Sequence, residues 1–203
     1  MSFFKKLFGK KQTEVETSNF IIAQLNDRLM PIDRGEVYED PLDDFLKIKH
    51  YGMVTGGGTL LTADNDIEYC ELEIQTSIDE VNSDEAIAEI IKKLEELGAP
   101  KGSKRIIESS GKEIKFGKLE GLGIFLDGVN LSEEVYKNSD SGALADEIRR
   151  LADIKSDVIR YWNGNTETGL YFYGPSFDYI KNSISEFVSD HPECENARIE
   201  RIA

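Results

Sequence analysis

The chain reads as an α+β protein built from two ferredoxin-like (βαββαβ) units in tandem, each an antiparallel sheet with helices on one face, the first unit degenerate. Three observations predict this. From Leu119 to the C-terminus the segments run strand, helix, strand, strand, helix, strand, the order of a split βαβ unit. A less regular copy of that order precedes it. The two most regular helical stretches can be laid over one another at an offset of 93, matching Ile91 with Ile184, Leu94 with Phe187, Arg105 with Arg198 and Ile106 with Ile199. Three segments follow: a basic tail over 1–17, a first unit over 18–110 and a second over 111–203.

In chain order, residues 1–11 carry Lys5, Lys6, Lys10 and Lys11 and no acid. Phe3, Phe4, Leu7 and Phe8 lie among those lysines, a pattern suited to weak contact with an anionic membrane surface. It does not suit a secretory leader, because Lys5 and Lys6 interrupt the apolar run. Phe20–Leu29 is the first expected strand. Pro41–Ile48, with Leu42, Phe45 and Leu46, is expected to be a shortened first helix. Gly56–Gly57–Gly58–Thr59 lacks the lysine and following helix of a phosphate loop, so it reads as a bend or bulge in a strand. Asp64, Asp66 and Glu68 alternate like the start of a calcium loop, but without its glycine and distal glutamate they read as a polar turn around Asn65. Ile67–Thr76 alternates Cys70, Leu72 and Ile74 with Glu71, Glu73 and Gln75, a strand wet on one face.

The spacing of Ile87, Ile90, Ile91, Leu94 and Leu97 predicts a helix over 82–97. Asn82 is its expected cap, and Gly98 and Pro100 stop it. Gly98–Lys104 follows a helix and leads into a strand, the wrong order for phosphate binding and the right one for a C-cap and turn. In the second half Gly121–Leu126, Val158–Trp162, Gly169–Tyr173 and Ala197–Ile202 read as strands, with a hairpin turn at Asn163–Gly164. Helices are expected over Ser141–Ile154 and from Pro175–Ser176 to just before Pro192. Tyr171 and Tyr173 fall on the open face of this second sheet. With Tyr161 they are assigned to an inter-unit or ligand face, since exposed aromatics need a dry partner.

The formal charge is −15, and because the first eleven residues hold four lysines, the remaining 192 hold −19. Such a body repels phosphate backbones, so nucleic acid is not expected as a partner. Cys70 and Cys194 stand far apart with no export signal, so both are read as reduced thiols and the location as cytoplasmic. His50 and His191 lack the spaced ligands of a zinc site. No catalytic, metal or cofactor site is expected, and the chain is not read as an enzyme. The acidic stretch Glu36, Tyr38, Glu39, Asp40, Asp43 and Asp44 is the expected docking surface for a basic protein partner, with charge steering encounter and aromatics anchoring it. An immunity-type inhibitor of a basic toxin is one concrete version. The alternatives are a small-molecule-sensing module with a ligand between the units near Tyr171 and Tyr173, and an enzyme without a readable motif. A homodimer through the aromatic face is a further expectation.

Overall fold

A computed structural model describes residues 19–77, 84–107 and 112–203. In the first unit β1 (Asn19–Leu25) turns Ile21, Ala23 and Leu25 to one side, and these are buried. It pairs antiparallel with β3 (Ile67–Thr76), whose Cys70, Leu72 and Ile74 share that side, and with β4 (Ser103–Ile107). β2 (Gly52–Leu61) lies outside β3, and β5 (Lys112–Phe116) lies outside β4. The sheet order is therefore β2-β3-β1-β4-β5. The four ferredoxin-like strands plus one make it up.

Three helical pieces supply the crossover from β1 to β2: α1 (Pro31–Arg34), a π-helical turn (Gly35–Glu39) and α2 (Asp40–Lys49). The expected shortened helix at 41–48 is thus the end of a continuous run. Pro41 has no N–H to give and its ring crowds the preceding turn. The chain widens just before it, with Asp40 N–H bonding the carbonyl of Gly35, and so carries a proline through a helix interior. Tyr38, Leu42 and Leu46 are fully buried on the sheet. Beside them on the same face lies α3 (Asp84–Glu96), with Ala86, Ile90 and Leu94 inward; Gly98, at φ +101°, ends it. The expected cap at Asn82 and the basic tail lie outside the described residues.

The second unit begins with β6 (Glu120–Asp127), followed by α4 (Glu133–Asn138) and α5 (Ser141–Leu151). The Asp140 side chain accepts from Ala143 N–H to cap α5, a bond whose loss typically costs about 1 kcal/mol. The hairpin β7 (Arg160–Asn163) and β8 (Glu167–Gly174) leads to α6 (Phe177–Asp190), capped by Ser176, and then to β9 (Arg198–Arg201). The order β7-β8-β6-β9 is the ferredoxin-like one. Leu122, Ile124, Leu144, Ile148, Leu170, Phe172, Ile180 and Ile184 form the core between sheet and helices, each large apolar side chain contributing about 1.5–3 kcal/mol on burial.

Two sequence expectations shift by small amounts. Lys112–Phe116 joins the first sheet, so that sheet runs past the expected boundary at 110, and only Gly117–Leu119 separates the sheets. The internal repeat also slips by one. Ala86 and Ile180, like Ile90 and Ile184, are the fully buried equivalents, 94 positions apart. At an offset of 93, Ile106 faces the open side beside Ile22, whereas Ile199 faces the helices beside Ile124. A one-residue slip in a strand exchanges its faces.

Glu120 ties the units together at the start of β6. It accepts from Lys101 Nζ of the first unit (2.7 Å), from Arg201 Nη1 (2.8 Å) and from Phe177 N–H at the head of α6 (2.7 Å). The Lys101 bond first, then the Phe177 amide, hold its carboxyl down at about 2, against an ordinary 4.5. A depressed carboxyl stabilises the fold above its unfolded pKa, and that stability is lost as pH falls through the folded one. The stability gap between the native chain and Glu120→Gln, followed by urea denaturation, is expected to close as pH drops from 4.5 towards 2. A gap that stays constant across that window would show that the cluster contributes nothing.

Candidate functional site

The open face of the second sheet is covered by the first unit. Gly121, Gly123 and Gly169 leave room on this face: a Cβ at Gly169 would stand 2.5 Å from the Tyr171 hydroxyl, and one at Gly121 2.8 Å from the Tyr173 ring. The rings of Phe125, Tyr171 and Tyr173 lie down into that space and are buried. The two tyrosine hydroxyls meet the β1–α1 loop and the β2–β3 turn. Tyr171 donates to Asp66 Oδ1 (2.8 Å), and the Tyr173 hydroxyl accepts from Arg28 N–H (3.0 Å). Arg28 lies over the Tyr171 ring at 4.7 Å and pairs with Asp66. Trp162 Nε1 donates to the carbonyl of Asp64 (3.1 Å).

At the centre of this seam Asp27 is fully buried. It accepts from Arg160 Nε (2.7 Å), Arg160 Nη2 (3.0 Å) and the Tyr38 hydroxyl (2.9 Å). Burial alone would lower the Arg160 pKa; the Asp27 carboxylate outweighs it and leaves the guanidinium above its ordinary value. Burial, and then Asp27, push the Tyr38 and Tyr173 hydroxyls well up. These groups satisfy one another's hydrogen bonds across two units.

The expected site residues therefore separate. Tyr171 and Tyr173 lie in the seam, where Arg28 and Asp66 occupy the space expected for a ligand. Tyr161 points to the other side of β7, opposite Leu170, and is exposed. Tyr38 is interior. Glu39 pairs with Arg34 Nε (2.6 Å); Asp43 pairs with Lys47 and accepts from Val54 N–H (3.0 Å). The Lys47 bond, and then that amide, lower the Asp43 pKa. Glu36, Asp40 and Asp44 remain exposed at four-residue spacing on the helical run, and none has an ion-pair partner among the described residues. Successive residues four apart share a helix face.

Most other polar candidates are occupied. Lys101 and Lys104 pair with Glu120 and Glu113. Asp66 sits in the polar turn at Asn65, whose φ is +61°. Cys70 is buried, and burial followed by Asp27 pushes its thiol up; Cys194 is pushed up to about 11 by burial and then Glu193. His50, in the left-handed region after α2, precedes Gly52, which pairs with Thr76 at the far end of β3 from Cys70. His191 accepts from Glu193 N–H through Nδ1 and packs on Phe187. Arg105, buried under the helices of the first sheet, has no partner for Nε and Nη1 among the described residues. No group of three metal-ligating side chains occurs among them either, and no helix there is long and apolar enough to cross a membrane.

What sequence reasoning missed is the surface beside the acidic helix. β2 is a rim strand of ten residues without one charged side chain, and among the described residues no strand pairs with its outer side. Its register with β3 jumps at Thr55 and again between Leu60 and Leu61, leaving Gly56–Leu60 as a regular run. The Arg34–Glu39 pair lies against Gly57 on the helix side, with Arg34 Nη1 on the Gly58 carbonyl and Thr59 Oγ1, both at 2.9 Å. On the open side Glu71 lies over Gly58, and Glu73 accepts from Thr55 Oγ1 (2.7 Å). Beyond Thr59 a cleft of about 540 Å³ opens between the two units, lined by Met30, Arg34, Leu61, Tyr161 and Trp162 among others.

No protein-family model matches the chain, and no curated protein matches it. Among solved structures, the first two RRM domains of yeast poly(U) binding protein (Pub1) align over 91% of this chain and 99% of theirs, at 11% identity and a TM-score of 0.24. The exclusion of nucleic acid read from charge does not stand beside a pair named for poly(U) binding, because net charge does not decide what one face of a fold binds. At that TM-score the likeness assigns this chain no ligand.

Proposed function

We propose that this chain is a non-catalytic acidic binding protein whose first unit engages a basic protein partner. The observation that supports the reading is the line of Glu36, Asp40 and Asp44, exposed along one face of the helical run and without an ion-pair partner among the described residues. Carboxylates left free in this way draw a basic surface in by long-range attraction and hold it at the rim of a contact. Inhibition of a basic enzyme by capping would be one use of such a surface. Because the attraction is screened over about 8–10 Å at physiological salt, affinity for a lysine-rich peptide is expected to fall about tenfold between about 50 and 300 mM NaCl. The triple variant Glu36→Gln, Asp40→Asn, Asp44→Asn is expected to lose most of that dependence in isothermal titration. Binding indifferent to salt would refute the reading.

A further inference from the structure

We propose that the outer edge of β2 takes an extended basic segment of the partner as a sixth strand of the first sheet. The inference rests on the partner reading above and adds to it the mode of contact and the pattern of residues recognised.

The four sheet edges are not alike. β5 carries Lys112, Glu113 and Lys115; β9 is four residues with two arginines and a glutamate; β7 is four residues. Charge and shortness are the usual guards against a strand adding to an open edge. β2 has neither. Its guards are the two register jumps, and they lie at either end of Gly56–Leu60. Asp43 closes the edge at Val54 by taking its N–H. Arg34 holds the Gly58 carbonyl and Thr59 Oγ1 from the helix side.

The glycines set the chemistry of what can add. On the open side of the sheet Gly56 stands opposite Glu73 and Gly58 opposite Glu71. Neither glycine places a side chain between those carboxylates and the edge. An added strand lies two spacings from β3, about 9.6 Å, which a glutamate and a lysine or arginine reaching toward each other can span. The two acids are two residues apart, so the segment that fits carries basic residues at alternate positions. Its helix-side neighbours are Arg34, Glu39 and Asp43, which lie against Val54–Thr59. Past Thr59 the added strand runs to the cleft, where Met30, Leu61, Tyr161 and Trp162 receive an apolar side chain. Leu60 and Leu61, both exposed in the free chain, gain cover there.

Two synthetic nine-residue peptides test this. One alternates lysine and threonine and ends in leucine; the other has the same sequence with alternate backbone amides N-methylated. The first is expected to bind and to slow hydrogen exchange at the amides of Gly56–Leu60. The second keeps the charge but cannot pair, and is expected to bind at least about tenfold more weakly. Glu71→Gln and Glu73→Gln are each expected to weaken the first peptide about threefold. Gly56→Lys, at a position where a Cβ meets nothing within 4 Å, should keep the fold and abolish binding. Equal binding of the two peptides, or slowed exchange on α2 without β2, overturns strand addition and leaves acid-driven binding standing. If neither peptide binds while the lysine-rich peptide of the previous section does, strand addition again fails alone; if that peptide fails too, the partner reading falls with it. Self-association that strengthens with salt gives the edge to a second copy and also overturns the proposal.

Discussion

Replacing Asp27 by alanine is expected to lower the folding free energy by about 3–5 kcal/mol, the range for breaking a buried ion pair from one side. The cost comes from what is left behind. Asp27 is fully buried and accepts three hydrogen bonds. Without it the Arg160 guanidinium, 8% exposed, keeps its charge in a dry seam, and the Tyr38 hydroxyl loses its acceptor. Exchanging both members for apolar residues, Asp27→Leu with Arg160→Met, is expected to recover most of the loss, since such pairs are often neutral against packed hydrocarbon. Urea denaturation of the two single variants and the double one closes the cycle. A loss below about 1 kcal/mol for Asp27→Ala would mean that water reaches the seam. The same variant bears on binding: Arg160 begins β7, the strand that carries Tyr161 and Trp162 to the rim of the cleft.

How much of this architecture could be read beforehand varies by element. Where a period repeats over several turns, as in Ile87–Leu97 or Phe177–Val188, the sequence predicts the helix and its buried face. Ile67–Thr76 and its polar side were equally legible. The start of the first helix was not, because Gly35 and Pro41 are helix breakers in isolation; the π-helical turn that accommodates Pro41 depends on tertiary packing of Tyr38 and Leu42. Nor was β5 visible. Three of the five residues of Lys112–Phe116 are charged, as suits an edge strand, and the signal that protects an edge also hides it.

The site divides in the same way. The open-face position of Tyr171 and Tyr173 followed from alternation with Phe172, but what covers them did not. Arg28, Asp27 and Asp66 sit in a loop and a turn, segments without periodicity, and their partners are 133 residues away in the case of Asp27 and Arg160. The acidic run was conspicuous, yet only the helical spacing in three dimensions separates Glu36, Asp40 and Asp44 from the buried Tyr38 and from Glu39 and Asp43, which are ion-paired. The glycine run was legible as part of a strand, but the bulge expected within it falls just before it, at Thr55. That it forms an uncharged rim flanked by carboxylates needed the sheet order, which places β2 outermost.

Neighbouring glycines in that rim are expected to respond in opposite ways. At Gly57 an added Cβ would stand 2.5 Å from the carbonyl oxygen of Glu71, 3.0 Å from Arg34 Nε and 3.1 Å from Glu39 Oε1. Backbone cannot swing aside as a flexible side chain can, so Gly57→Val must push β2 from β3 and dislodge the Arg34–Glu39 pair. Overpacking of this kind costs about 1–3 kcal/mol, and the loosened guanidinium, which is almost wholly buried, adds to it. At Gly56 nothing lies within 4 Å of the same atom. There valine removes backbone freedom from the unfolded chain and suits a strand, so Gly56→Val is expected to be neutral or to stabilise by up to about 1 kcal/mol. Thermal or urea denaturation of the two variants gives the comparison directly. Packing then accounts for Gly57, and for Gly58 beneath Glu71, but leaves Gly56 with no role in the folded chain alone. A glycine that the fold does not need, opposite Glu73 on an open rim, is what an approaching backbone needs. A marked loss of stability in Gly56→Val would return that position to the fold and remove this support for an added strand.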